Sequence, residues 1–167
     1  MINIVIPMAG TGSRFQKAGY KKPKPFIDVN GKMMIERVLD NLKIKDAKFT
    51  LIVRNEFMKS EEVAMKYLRN NFNCNILTVD KLTEGAACTI LFACEIINND
   101  SPLLLANSDQ IVDMDVADYI NDSVKRGCNG SILTFFSDHP KWSYAKIDTR
   151  GHLIELREKE VISSYAT

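Results

Sequence analysis

Short apolar runs alternate along this chain with longer stretches in which apolar residues recur at helical intervals. The first run, Ile2–Ile6, reads as a strand and is followed by a glycine-containing loop without helical amphipathicity. Met33, Met34, Val38 and Leu42 then recur at helix spacing, and Phe49–Val53, rich in β-branched and large apolar residues, predicts a second strand. Val63, Lys66, Tyr67 and Asn70 mark a further helix, with Glu61 and Glu62 near its start, where the helix dipole favours acids. Asn75–Val79 predicts a strand. Ala87, Ile90, Leu91, Cys94 and Ile97 form an apolar stripe on a helix, and the run Leu103–Leu105 predicts a strand buried on both faces.

This βαβα rhythm predicts an α/β fold with a mainly parallel sheet covered by helices and right-handed crossovers. After a helix over Val116–Lys125 the pattern changes. Ser131–Phe136, Tyr144–Ile147 and Leu153–Leu156 read as strands joined by turns, including Asp148-Thr149-Arg150-Gly151, so a mixed-sheet appendage follows the βαβ part. The expected organisation is one domain over 1–167, with a core at 1–128 and a second portion at 129–167.

With 22 basic and 21 acidic side chains, the overall charge offers no reason to expect a nucleic-acid partner. Met1 leads straight into the first strand, without a signal-like segment, and no apolar run approaches the roughly 18 residues of a membrane span. The four cysteines lack CxxC spacing and read as reduced, packed thiols, which predicts a cytoplasmic location.

The strongest local signal is Pro7-Met8-Ala9-Gly10-Thr11-Gly12-Ser13-Arg14-Phe15, directly after the first strand. Glycines allow close backbone approach, and consecutive amides in such a turn can surround phosphate oxygens. The spacing is not that of a Walker A loop, and Phe15 stands where a dinucleotide GxGxxG fingerprint needs its last glycine. Arg14, Lys17, Lys21, Lys22 and Lys24 crowd the same region, with no acid before Asp28. This charge fits a ligand with several phosphates: Arg14 offers a forked contact, and Lys24 a point charge held between Pro23 and Pro25.

The second signal is Leu103-Leu104-Leu105-Ala106-Asn107-Ser108-Asp109-Gln110. An apolar strand that gives way abruptly to polar groups sets them at the carboxyl edge of a sheet, where open α/β folds bind ligands. Asp109 there suits a hard cation such as Mg²⁺, which takes oxygen ligands and keeps several waters. Asp113 reads as a cap for the next helix.

These segments, PMAGTGSRF continued by KPKPFIDV over Lys22–Val29, resemble the sugar-phosphate nucleotidyltransferases, or sugar-nucleotide pyrophosphorylases. Further matches occur in order: Thr83-Glu84-Gly85-Ala86-Ala87, Asn107-Ser108-Asp109 and Glu158-Lys159. The resemblance implies a doubly wound, Rossmann-like, three-layer fold and Mg²⁺-dependent transfer from a nucleoside triphosphate to a phosphorylated small molecule. It implies that Met8, Ala9, Gly10, Thr11, Gly12, Ser13, Arg14 and Lys24 surround the triphosphate. Glu84 and Gly85 meet the nucleoside, Asn107 and Asp109 form the metal segment with Asp109 as ligand, and Lys159 with Glu158 faces the acceptor. Family members usually continue past the point where Thr167 stands, which implies that the acceptor portion and a second metal aspartate are incomplete here. Nucleobase and acceptor stay open, as does assembly into a homo-oligomer. A glycosyltransferase using a nucleotide sugar, or a non-catalytic nucleotide-binding domain, are the alternative readings.

Overall fold

A computed structural model describes residues Met1–Thr167. The chain divides into two compact units, Met1–Val116 and Ala117–Thr167.

The first unit is built on four parallel strands, β1 (Ile2–Pro7), β4 (Ala47–Arg54), β5 (Cys74–Val79) and β6 (Leu103–Leu105), in the order β5-β4-β1-β6. Between them run α1 (Ser13–Lys17), the small hairpin β2 (Asp28–Val29) and β3 (Lys32–Met33), and α2 (Met34–Asn41). After β4 come α3 (Asn55–Ser60) and α4 (Glu62–Asn71). The β5-to-β6 crossover holds α5 (Ala86–Ile90), a 3-10 turn over Leu91–Ala93, and α6 (Cys94–Ile97). Strand β1 is central, and its residues Ile4, Val5 and Ile6 are wholly buried, as are Leu51, Ile52 and Val53 of β4. Burial of each such side chain stabilises the sheet by about 1.5–3 kcal/mol. Helix α2 turns Ile35, Val38 and Leu39 inward; of the positions picked out by spacing, Val38 and Leu42 are buried, whereas Met33 and Met34 are half-buried.

Strand order reverses at β1, because the chain moves from β1 towards β4 and β5 and then crosses to β6 on the other side. The carboxyl ends of β1 and β6 are therefore neighbours, in register at Val5 and Leu105. Such a switch point leaves a crevice beyond the strand ends.

Three sequence expectations change in this unit. Strand β6 is not buried on both faces: it is the sheet's edge, and Leu103 and Leu105 are 43% and 51% exposed. The helix after Gly85 is broken, and the 3-10 turn, with three residues per turn, rotates the remainder of the segment about its axis. Ala93 thus takes the inward place with Ile90 and Ile97, while Leu91 is 65% exposed. Helix α1 stands where a loop was expected. It buries no residue, so it has no apolar stripe to reveal it.

The second unit carries α7 (Val116–Lys125) across its boundary with the first and an antiparallel sheet in the order β7-β10-β8-β9. Its strands are β7 (Phe135–Phe136), β8 (Tyr144–Ile147), β9 (Leu153–Arg157) and β10 (Tyr165–Ala166). Of the expected strand over Ser131–Phe136 only two residues pair, because the partner β10 offers only Tyr165 and Ala166. Asp148 forms the β8–β9 turn as expected: its Oδ1 accepts from the amides of Arg150 and His152, both at 2.8 Å, and Gly151 supplies a φ of 82°. The residue preceding α7 is Asp115, so the capping position falls there and not at Asp113. No helix is long and apolar enough to cross a membrane.

Candidate nucleotide site

The glycine loop leaves β1 at the switch point. Met8 and Ala9 turn inward and are buried, and the Met8 amide donates to the Ile52 carbonyl at 2.9 Å, tying the loop to β4. Gly10 and Thr11 are exposed. Gly12 then adopts φ 61°, in the left-handed region, and its carbonyl accepts from the amides of Phe15 (2.9 Å) and Gln16 (3.2 Å) to start α1. A Cβ at Gly12 would lie 3.1 Å from the Lys24 Cβ. The positive φ favours glycine here, and a Cβ would press on Lys24.

Lys24 opens a 3-10 turn, Lys24–Phe26, that comes after Pro23 and contains the buried Pro25. Phe26 anchors the turn in the core, edge-on to Phe57 with ring centroids 5.9 Å apart. From this fixed stem the Lys24 ammonium reaches Asp109 Oδ2 at 2.5 Å and stands 5.9 Å from the centre of the Phe15 ring. The two side chains keep 25% and 38% exposure, so the pair faces solvent at the mouth of the crevice. Arg14, on the first turn of α1, is exposed.

Asp109 is held by its own segment. The Ala106 amide donates to the Val5 carbonyl at 3.1 Å, Ser108 is buried, and the Asn107 amide group donates to Gln110 Oε1 at 2.7 Å. Just beyond, Asn41 clamps Val112 from both sides: its Nδ2 donates to the Val112 carbonyl (2.8 Å) and its Oδ1 accepts from the Val112 amide (2.9 Å). No group of three or more His, Cys, Asp or Glu side chains gathers to hold a metal.

Glu84 and Gly85 are exposed in the loop between β5 and α5. In the other unit, Lys159 adopts φ 55° and its ammonium lies 2.8 Å from Glu158 Oε1. The Lys159 ammonium holds the Glu158 carboxyl below its usual range. The structure thus gathers Gly12, Lys24 and Asp109, from three separate segments, at one edge of the parallel sheet.

Three residues around this edge escaped the sequence reading. Asn41 looks like an ordinary polar helix residue until its partner 71 positions away is known. Arg54 ends β4 at the same carboxyl edge, with its guanidinium 4.9 Å from the centre of the Phe57 ring and 2.5 Å from Glu56 Oε1, while its buried Nε has no partner. A basic residue closing a buried strand was the available signal. Thr89, buried on α5, is the third.

Comparison with known proteins agrees with this arrangement. Residues 4–162 match the family model described as nucleotidyl transferase. Over 160 residues the chain is 28% identical to the bifunctional protein GlmU of Methanococcus aeolicus, a match that covers 95% of this chain and 36% of that protein. The chain therefore spans about a third of the length of this curated relative. Among solved structures, it superposes with a nucleoside-diphosphate-sugar pyrophosphorylase from Vibrio cholerae at a TM-score of 0.73 and 27% identity, covering 98% of this chain and 70% of that one. A proposed glucose-1-phosphate thymidylyltransferase from Bacillus anthracis gives a TM-score of 0.81 at 25% identity, covering 99% and 68%.

Proposed function

The chain belongs to the nucleotidyl transferase family, and on that premise we propose that it serves transfer of a nucleotidyl group from a nucleoside triphosphate to a small phosphate monoester, with a sugar 1-phosphate as first candidate. The observation that carries this reading is the convergence of the glycine turn, Lys24 and Asp109 at the switch point of a parallel sheet.

The amides of the loop from Met8 to Ser13, together with Arg14 and Lys24, hold the triphosphate. Asn107 belongs to the wall beside Asp109, and Glu84 and Gly85 meet the nucleoside. An oxygen of the acceptor phosphate attacks the α-phosphorus in line; the bond from that phosphorus to the β-phosphate oxygen breaks, and pyrophosphate leaves. The product is a nucleoside monophosphate joined through a new pyrophosphate link to the acceptor phosphate, which is a nucleoside diphosphate sugar where the acceptor is a sugar 1-phosphate. The attacking phosphate is already anionic, so the chain contributes alignment and charge balance, not a general base. Lys159, beside Glu158, is the candidate contact to the acceptor phosphate. On this reading 1–128 serves the nucleotide and 129–167 serves the acceptor.

Asp109 is a single, accessible carboxylate at the strand-end crevice, and this suits Mg²⁺, which is commonly held by one or two carboxylates plus substrate phosphates. When bound, the ion would neutralise charge on the α-phosphate. The four unpaired cysteines support a cytoplasmic setting.

Pyrophosphate release, assayed across the four triphosphates and a panel of phosphorylated acceptors, tests the proposal. Release that depends on one triphosphate and one acceptor is expected. Release of nucleoside diphosphate from a nucleotide sugar would instead establish a glycosyltransferase, and nucleotide binding without turnover a binding domain.

A further inference from the structure

We infer that Thr89 is a positioning residue that sets nucleotide selectivity by fixing the shape of the Thr83–Gly85 loop. The inference rests on the nucleotide-binding reading above and names a residue to which that reading gives no part.

Thr89 lies in α5 and is 4% exposed. Its hydroxyl stands 2.5 Å from the Thr83 hydroxyl; with one proton each, one of the two donates to the other and the second donates to the Gly85 carbonyl, which lies 3.1 Å from the Thr89 oxygen and 3.2 Å from the Thr83 oxygen. The same carbonyl accepts from the Thr89 amide at 3.1 Å. A threonine that only bonds the carbonyl four residues back is an ordinary helix feature. Thr89 also reaches six residues back, outside the helix, and so joins the loop to it.

Little else holds the loop. Glu84 and Gly85 are exposed, and a Cβ at Gly85 would meet nothing within 4 Å. The post to which it is tied is firm by contrast. Ala93, with Ile90 and Ile97 packed alongside, belongs to one apolar cluster with Val5, Ala9, Ile52 and Val79. Ala9 is part of the glycine loop, and Val79 ends β5. One buried cluster therefore roots both the phosphate-side turn and the helix carrying Thr89, and the paired hydroxyls pass that fixed position on to Thr83–Gly85. A nucleoside read by exposed backbone needs its donors and acceptors placed to a fraction of an ångström, which the loop alone does not supply.

The test is equilibrium binding of ATP, CTP, GTP and UTP by calorimetry to the wild-type chain and to Thr89→Val, Thr89→Ser and Thr83→Ala. Thr89→Val keeps the shape and loses the hydroxyl. It is expected to weaken the preferred triphosphate roughly five- to tenfold, as for loss of one or two neutral hydrogen bonds, and to shrink the ratio between preferred and poorest triphosphate. Thr89→Ser should restore both to within about twofold of wild type. Thr83→Ala, at the partly exposed end of the pair, should lower the ratio even where Thr89→Val fails to fold. Wild-type selectivity in Thr83→Ala, or in a folded Thr89→Val, overturns the inference, as does a lowered melting temperature with the ratio intact. A wild-type chain that binds no triphosphate overturns the nucleotide reading itself.

Discussion

The two sheets differ in how they hold the residues they carry. In the parallel sheet, β1 and β4 are buried through their central residues; the glycine loop leaves the end of buried β1, and Asp109 follows the edge strand β6, which pairs with β1. In the antiparallel sheet burial is confined to Tyr144, Ala145 and Ala166, while Phe136, Leu153, Ile154 and Leu156 stay exposed. There the geometry is set by turns, through Asp148 and through the Ser163 hydroxyl, which donates to the Ala145 carbonyl at 2.7 Å. Glu158 and Lys159 come after β9 on this second kind of support. Strand burial places a group once for the whole sheet, whereas turn chemistry places each hairpin separately.

Core truncation gives the largest expected contrast. Leu51→Ala in β4 should cost about 2–5 kcal/mol, read from the denaturant midpoint, whereas Leu156→Ala in β9 should stay within about 0.5 kcal/mol. Equal losses would erase the distinction. Next comes Arg14→Ala, which removes an exposed cation from α1. Turnover in a catalytically competent polypeptide containing this chain should fall roughly 10²–10³-fold, with the unfolding midpoint unmoved. Undiminished turnover would take Arg14 out of the mechanism. Gly12→Ala tests both at once, because its positive φ costs about 1–2 kcal/mol for a residue with a Cβ and the new methyl presses on Lys24. Stability and triphosphate affinity should drop together, and loss of stability alone would separate Lys24 from the ligand.

The smallest effect belongs to the turn-held sheet. The amides of His152 and Arg150 hold the Asp148 carboxyl below its ordinary value. A depressed carboxyl stabilises the folded form above its unfolded value and loses that contribution as pH falls through the folded one. Carbon NMR of Asp148 should therefore show a titration midpoint below that of a free aspartate, with the β8–β9 hairpin loosening over the same range. A midpoint at the ordinary value would mean that the turn does not depend on this side chain.

The parallel core was legible because its strands and main helices repeat apolar residues at the periods their geometry requires. The run Leu103–Leu105 carried the right element and the wrong environment: three leucines state a strand but not its place in the strand order. Leu91 misled for a related reason, since a single 3-10 turn inside a helical segment resets the inward face without changing composition. The β2–β3 hairpin left no alternation to read, as each strand has two residues; its Asn30-Gly31 turn, with φ of 53° and 82°, was the better signal. At the candidate site, Lys24 and Asp109 stood out by residue type and position, as did Arg14 on the adjoining α1. Asn41, Arg54 and Thr89 did not, because their significance lies in partners or surroundings that only folding provides.

The contact between Lys24 and Asp109 means that the resting crevice already contains both members of an ion pair. A polyanion that draws the lysine to itself strands the carboxylate, and a cation that takes the carboxylate strands the lysine. Either visitor alone leaves an unbalanced charge behind it, whereas an anion and a cation arriving as a set exchange partners with the pair and leave the total unchanged.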